Sequence, residues 1–141
     1  MTNEISNGIS NAIYEEFGER YGITSENTEQ DLQEPCFFIA CIDTSIKRYP
    51  SNRYLSKNQF CVHYFPETEK VNEECADVAE RLQFCLEEIC AGGDIVRGTG
   101  MESKIDDDVL QFFVDYNFFT RRVPEPEEPM GALEIKENLK G

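Results

Sequence analysis

The segment of residues 109–123 constrains the fold more than any other part of the sequence. One of its two alternating sides is apolar throughout and carries Leu110, Phe112, Val114, Tyr116 and Phe118. The other side places Phe113 and Phe119 among polar residues. A half-buried strand is apolar on one side only, so one layer of helices does not account for all of this aromatic surface. The pattern predicts a second covering layer, either more helices or another subunit.

Apolar residues at helical spacing predict two helices in the rest of the chain. The first spans residues 2–17 with Thr2 as its N-cap, and the second spans residues 71–89 with Thr68 or Asn72 as its N-cap. Strands are predicted from alternating or continuous apolar runs at residues 23–27, 36–42, 53–65, 95–105 and 109–123. A loop is predicted at residues 47–52 from the turn chemistry of its Pro-Ser-Asn sequence.

The resulting element order is α-β-β-β-α-β-β. It predicts an α+β fold, with an antiparallel-rich mixed sheet of about five strands packed by two helices. We expect residues 1–123 to form this single domain. Residues 124–141 are an acidic, Pro-rich tail that we expect to be extended.

The charge balance opposes several classes of function. The chain has 28 acidic and 13 basic residues, a net charge of −15. Proteins that bind nucleic acid gain affinity from Lys and Arg that neutralise phosphates, so this balance disfavours a nucleic-acid partner. The N-terminus has no signal-peptide pattern, and no apolar run approaches the ~18 residues of a membrane span. We therefore expect synthesis in a cytoplasm and no membrane partner.

We expect the six cysteines and the single histidine to have packing roles and not catalytic or metal-binding ones. No two cysteines form a CxxC pair, and several lie in apolar runs, where a free thiol behaves as a small hydrophobic group. His63 shares a strand side with Cys61, but no neighbour in sequence would orient the imidazole as a nucleophile–base pair requires. We expect reduced thiols, no metal and no cofactor, with a metal or redox role as the alternative.

Asp94, Glu102 and Lys104 imitate the D…ExK pattern of metal-dependent nucleases. That chemistry needs two carboxylates for Mg²⁺ and a lysine near the attacking water. Because the motif is short and the chain is rich in these residue types, we favour a chance match and keep the nuclease as a remote alternative. The three aspartates at positions 106–108 predict a solvated hairpin turn, since they lack the glycine and final glutamate of an EF-hand loop.

Two further short patterns lie near strand ends. Gly98 and Gly100 lack the spacing of a phosphate-binding loop, so we expect a bulge or a close backbone approach there. Arg121 and Arg122 stand where the last strand leaves the sheet. They are candidates for docking to an acidic partner surface, with a solvated strand end as the alternative.

Several segments in order resemble the tail-terminator proteins of long-tailed phages and phage-like particles of Gram-positive bacteria. The segments are NAIYEEFGERYGI, EQDLQEPCFFI, NRYLSKNQFCVHYFP, RLQFCLEEI, GDIVRGTGMESKIDDDVLQFFVDYNFFTRR and EEPM. Together they extend over residues 11–130, and the ordered set is more specific than any one of its members.

This resemblance implies a structural virion protein without catalytic residues. Such proteins form a ring, usually six-fold, on the last ring of the tail tube, where they end tail growth and present a surface to head-completion proteins. The implied partners are other copies of the chain, the tube protein, a neck protein and, where a sheath exists, the sheath protein. Genomic DNA would only pass through the channel. Phe113 and Phe119 are candidates for contacts between subunits, and Arg121 and Arg122 for contacts to the tube or neck. Another neck or head–tail joining protein is the main alternative.

Overall fold

The computed structural model describes residues 2–25 and 34–121. Its elements, in chain order, are α1 (Thr2–Phe17), β1 (Gly22–Ser25), β2 (Cys36–Tyr49), β3 (Arg53–Phe65), α2 (Val71–Cys85), β4 (Glu88–Ala91), β5 (Asp94–Asp106) and β6 (Val109–Arg121). The predicted tail at residues 124–141 and Arg122 lie outside the described residues. Among the described helices, none is long and apolar enough to cross a membrane.

The strands form one sheet in the order β1-β2-β3-β6-β5-β4. Only β1 and β2 run parallel, and every other neighbouring pair is antiparallel. The predicted α+β class and antiparallel-rich sheet are therefore confirmed, with six strands where about five were expected. Asp107 and Asp108 both have positive φ and connect β5 to β6 in a two-residue turn, as the hairpin prediction requires.

The additional strand, β4, replaces the predicted last turn of α2. The apolar stripe of α2 continues in phase through Leu86 and Ile89, which is why periodicity alone extends the helix to residue 89. In the structure the helix ends at Cys85, and Gly92 and Gly93 adopt positive φ in the turn that pairs β4 with β5. Short apolar runs do not discriminate a helix end from a strand.

Both helices pack on the same face of the sheet. Their buried side chains join those of alternate strand positions in one core, which contains Ile5, Ile9, Ile13, Phe37, Phe60, Val62, Tyr64, Val78, Leu82, Leu110, Phe112, Val114 and Tyr116. In the part of the chain that the structure describes, no helix covers the opposite face, which we call the helix-free face. The aromatic second side of β6 was predicted to be covered either by more helices or by another subunit. Among the described residues, no helix covers it.

Strand β2 is longer than its apolar sequence predicts. It was expected to end at residue 42, before a loop at residues 47–52, but it continues to Tyr49 as far as a turn at residues 50–52. A bulge between Cys41 and Asp43 shifts the register, and β2 then pairs with β3 up to the turn. Ser51 and Asn52 have positive φ, consistent with the predicted turn chemistry. Backbone pairing with β3 holds the polar half of β2 in the sheet, and a hydrophobic pattern cannot predict such a segment.

Helix α2 begins without the side-chain cap that the sequence predicts. Its N-cap is Lys70, which makes no capping hydrogen bond, and neither Thr68 nor Asn72 occupies that position. The Glu74 carboxylate instead accepts hydrogen bonds from the backbone N–H groups of Glu67 and Thr68, both at 2.9 Å. The Glu74 side chain, in the first turn of the helix, therefore holds the connection from β3 to α2 in place.

Candidate functional site

Three strands continue beyond the helix layer as an arm, which we define as residues 44–57 and 117–121. The last buried residues before the arm are Asn58 on β3 and Tyr116 on β6. From Asn58 to Arg53, next to the tip, five strand steps extend the arm by about 17 Å. β2, β3 and β6 pair along its length without a further register shift. The arm is therefore a three-stranded ribbon with most side chains in solvent.

The base of the arm is fixed to the helices by buried polar contacts. The Tyr116 hydroxyl donates a 2.7 Å hydrogen bond to the Leu86 carbonyl at the end of α2. Asn58 donates through its side-chain amide to the Tyr116 carbonyl at 3.0 Å, and the Thr2 hydroxyl donates to the Asn58 side-chain oxygen at 3.4 Å. These contacts fix where the arm leaves the body.

One side of the arm combines cations with aromatic rings on the continuation of the helix-free face. The ladder places Lys47 opposite Leu55 and Leu55 opposite Phe119, while Lys57 and Arg53 lie two residues away on either side of Leu55. Directly paired residues, and residues two apart on one strand, project from the same face. Phe119 is 57% exposed in the middle of this group. We call Lys47, Arg53, Lys57 and Phe119 the arm patch.

Three of the five arm cations lie over aromatic rings of the arm itself. Lys47 Nζ lies 5.7 Å from the centre of the Tyr49 ring, and the Arg53 guanidinium carbon lies 5.8 Å from that of Phe119. On the other side of the arm, Arg48 lies 5.9 Å from the Tyr54 ring. Within the described ranges, no carboxylate is within ion-pair distance of an arm cation.

On the body, by contrast, three arginines pair with glutamates. Arg81 lies 3.0 Å from Glu16, Arg97 lies 3.0 Å from Glu88, and Arg20 pairs with Glu67.

The arm is basic although the chain is acidic. Residues 44–57 and 117–121 contain no Asp or Glu and carry Lys47, Arg48, Arg53, Lys57 and Arg121. The net charge of −15 therefore divides into +5 on the arm and −20 on the rest of the chain. Of these cations only Arg121 was predicted to form part of a contact surface, because Lys47 and Arg48 were expected to lie in a loop at residues 47–52. A signal was available, since residues 44–65 contain no acidic residue.

The exposed side of α2 carries the opposite charge. Glu73, Asp77, Glu80 and Phe84 follow one another at helical spacing, and all four are exposed. Phe84 is 71% exposed. Within residues 2–25 and 34–121, none of these three carboxylates lies within ion-pair distance of a cation. We call these four residues the acidic stripe.

The candidate interface residues Phe113 and Phe119 lie on the helix-free face, as predicted from strand alternation. They differ in environment. Phe113 is half-buried between its ladder neighbours Cys61 and Glu102, whereas Phe119 belongs to the arm. Arg121 is exposed at the distal end of β6, opposite Arg53.

The nuclease pattern is not assembled in space. Glu102 and Lys104 project from one side of β5, but Asp94 begins the same strand eight residues earlier, on the order of 25 Å away along an extended chain. In the described residues, no three His, Cys, Asp or Glu side chains are grouped as a metal site requires. The geometry therefore gives the nuclease hypothesis no support.

Cys61 and His63 both lie on the helix-free face, and burial disfavours the charged form of each. Burial raises the pKa of the Cys61 thiol to about 11 and lowers the pKa of the His63 imidazole. The His63 ring packs against Phe38, with 5.7 Å between ring centres. A neutral thiol beside a ring-packed imidazole lacks the activation of a nucleophile–base pair.

The remaining cysteines occupy packing positions of different depth. Cys36, Cys61 and Cys75 are buried, Cys41 and Cys85 are half-buried, and Cys90 is exposed. Burial raises the pKa of Cys85 to about 12.

Gly98 and Gly100 serve the backbone, as expected. A Cβ atom at Gly98 would lie 2.6 Å from the Leu86 carbonyl oxygen and 2.9 Å from Val114, so only glycine allows β5 to approach the end of α2 this closely. Gly100 has φ of +59° in the bulge between Thr99 and Glu102, where a Cβ would lie 2.6 Å from the Asp115 carboxylate.

Comparison with known proteins identifies the class of the chain. A family model described as phage tail terminator protein matches residues 4–128, nearly the whole described region. A search of curated proteins found no match. One solved structure matches over 86% of this chain and 98% of its own, with 13% sequence identity and a TM-score of 0.39, a likeness too slight to support an argument. The chain belongs to the phage tail terminator family and is a structural component of a virion tail.

Proposed function

We propose that this protein caps the tail tube as a ring, ends tail growth and provides the surface to which the head or neck attaches. The family match supports a role in tail completion. The observation that carries the finer proposal is the basic arm, which extends about 17 Å beyond the helix layer with an exposed aromatic residue at its centre. Such a projection suits a protein that must contact neighbours on more than one side.

A cap has a physical task that this architecture can perform. A stack of identical tube subunits ends in an interface that can accept another subunit, and a heterologous interface that does not close continues to grow. A cap must therefore match the tube on one face and differ from it on the other. A sheet whose described helices all lie on one face, continued by a charged arm, offers two chemically different faces.

Phe113, Phe119, Arg121 and Arg122 have roles within this proposal. Phe113 and Phe119 contact the adjacent subunit of the ring, which we expect to be a hexamer. Arg121 and Arg122 contact the tube protein or the next neck protein. The excess of negative charge on the rest of the chain would prevent passing DNA from adhering to the channel. The ring lies at the head-proximal end of the tail, its subunits are made in the bacterial cytoplasm, and it has no catalytic activity.

Deletion of the gene tests the proposal directly. We expect tails of uncontrolled length or tails unable to join heads, restored to uniform length when the wild-type chain is supplied. Electron microscopy of purified particles measures tail length, and infectious titre measures joining. Tails of normal length without heads would instead indicate a head–tail joining protein. Uniform tails and a normal titre in the deletion would end the terminator proposal.

A further inference from the structure

We propose that the arm patch of one subunit binds the acidic stripe on α2 of the next subunit in the ring. This interface rests on the ring proposed above and identifies the two surfaces that form it. The arm patch is defined by Lys47, Arg53, Lys57 and Phe119, and the acidic stripe by Glu73, Asp77, Glu80 and Phe84.

The two surfaces have opposite charges, and among the described residues neither makes an ion pair. Glu73 and Asp77 are four residues apart on α2, and Asp77 and Glu80 are three apart, so like charges repel along the helix. The three cations of the arm patch likewise share one face of a ribbon that has no acidic residue. In the described part of the chain, no ion pair relieves either group. Contact between the two groups would relieve both.

Each surface also has an exposed aromatic residue among its charges. Phe119 is 57% exposed and Phe84 is 71% exposed. Protein interfaces typically place aromatic residues at the centre of the contact and charged residues around them. Phe119, with Arg53 lying over its ring, has this arrangement before any partner binds.

Charge also determines how the copies are arranged. Two arm patches repel each other, and so do two acidic stripes, which disfavours a two-fold interface that pairs a surface with itself. When the arm of each copy binds the stripe of the next copy, and not reciprocally that of a single partner, the contact is heterologous and generates a ring when its rotation closes. The arm, which projects about 17 Å beyond the body, is long enough to reach the flank of a neighbour.

A second copy is favoured over the other polyanions that a basic arm could contact. Each chain brings −20 on its remaining residues, so DNA would approach a strongly repulsive surface to reach the five lysine and arginine side chains of the arm. The acidic stripe, in contrast, is present on every copy at the concentration of the ring itself.

Charge exchange between the two surfaces tests the interface in the purified full-length chain. The arm variant is Arg53→Glu with Lys57→Glu, and the stripe variant is Asp77→Lys with Glu80→Lys. The matched control for the arm variant is Lys70→Glu with Lys104→Glu, which makes the same change in net charge at two exposed lysines outside both surfaces. Native mass spectrometry measures the subunit number, and thermal unfolding measures whether each variant remains folded.

We expect the arm and stripe variants to remain folded, with a cooperative thermal transition, and to assemble at least about tenfold more weakly, while the control assembles normally. The variant that combines both exchanges restores opposite charges and should recover assembly. A folded arm variant that assembles like the wild type, or a combined variant that does not recover, would overturn the interface.

A photo-crosslinking amino acid at position 53 tests the same contact between subunits in assembled tails. This test also applies if the wild type forms rings only on its tube. The expected product has twice the chain mass and joins position 53 to residues 73–84 of another copy. A crosslink to the tube protein or to DNA would overturn the choice of partner. Because these measurements read contacts between chains, they stand or fail separately from tail length in the deletion.

Discussion

The guanidinium carbon of Arg53 lies 5.8 Å from the centre of the Phe119 ring, across two adjacent strands of the arm. Tyr49 completes the group, with its ring edge-on to that of Phe119 at 5.6 Å between centres. A cation over an aromatic face is attracted by the ring quadrupole, by about 0.5–1 kcal/mol at an exposed site. The group is thus partly ordered before it meets a partner, which reduces the side-chain entropy lost on binding.

Replacing Phe119 with alanine should weaken capping without destabilising the domain. The ring is more than half exposed, so its removal should cost about 1 kcal/mol or less in the free energy of unfolding, mainly through loss of the contact with Arg53. Ile46→Ala is the matched control, because Ile46 is 72% exposed on the opposite side of the same arm. Tail length by electron microscopy in the complemented deletion should broaden with Phe119→Ala and stay uniform with Ile46→Ala. Equal effects of the two variants would mean that neither side of the arm is specific.

Reversing the charges at the end of β6 should weaken capping in a different way. Arg121 is exposed, so Arg121→Glu combined with Arg122→Glu should shift stability by only about 0.5 kcal/mol or less. If these residues contact the tube or neck protein, purified variant rings should retain their subunit number but bind purified tails more weakly. Cosedimentation with tails from the deletion strain measures that binding. Unchanged cosedimentation would remove both arginines from the tube interface.

The hydrophobic pattern of the sequence predicted those elements in which buried positions require apolar residues. The two helices, the β5–β6 hairpin and the aromatic second side of β6 are governed by hydrophobic period, and all were predicted. The extension of β2 to Tyr49 was not, because residues 42–48 are exposed and are held by pairing with β3. The charge segregation of the arm was missed with it, since cations in a loop form no common surface. Only the register places Lys47, Lys57 and Phe119 side by side.

Removal of the Tyr116 hydroxyl should measure how firmly the base of the arm is attached. Tyr116 is fully buried, and its hydroxyl donates to the Leu86 carbonyl at 2.7 Å, so Tyr116→Phe leaves a buried acceptor without that partner. We expect a loss of about 1–2 kcal/mol in the free energy of unfolding by urea. Tyr54→Phe, which alters a half-buried ring on the arm itself, should cost about 0.5 kcal/mol or less. If Tyr116→Phe lowered the free energy of unfolding no more than Tyr54→Phe does, the hydrogen bond would not be what fixes the arm.

Stability should fall in acid because of Glu74. Burial acts to raise the pKa of this carboxyl, but hydrogen bonds from the Tyr64 hydroxyl, Thr68 and the Glu67 backbone outweigh it, so the folded-state pKa lies below the ordinary value of 4.5. The Tyr64 hydroxyl donates at 2.5 Å and the Thr68 hydroxyl at 2.7 Å. The unfolded chain therefore binds a proton more readily than the folded one. The contribution of Glu74 is complete above about pH 4.5 and is lost as pH falls through the lower folded-state value.

Glu74→Gln isolates this contribution, because glutamine keeps the size of the side chain but neither its charge nor its titration. At neutral pH we expect the variant to be less stable than the wild type by about 1–2 kcal/mol, since hydrogen bonds to a charged acceptor are lost. The difference should shrink as the pH is lowered below about 4.5, because the wild-type carboxyl then becomes protonated as well. Urea unfolding at a series of pH values, at protein concentrations low enough to avoid assembly, measures both quantities.

Glu73→Gln is the control, since Glu73 is exposed on the acidic stripe and accepts no hydrogen bond within the described residues. A stability difference between wild type and Glu74→Gln that stays constant from neutral to acidic pH would show that Glu74 does not carry the acid sensitivity.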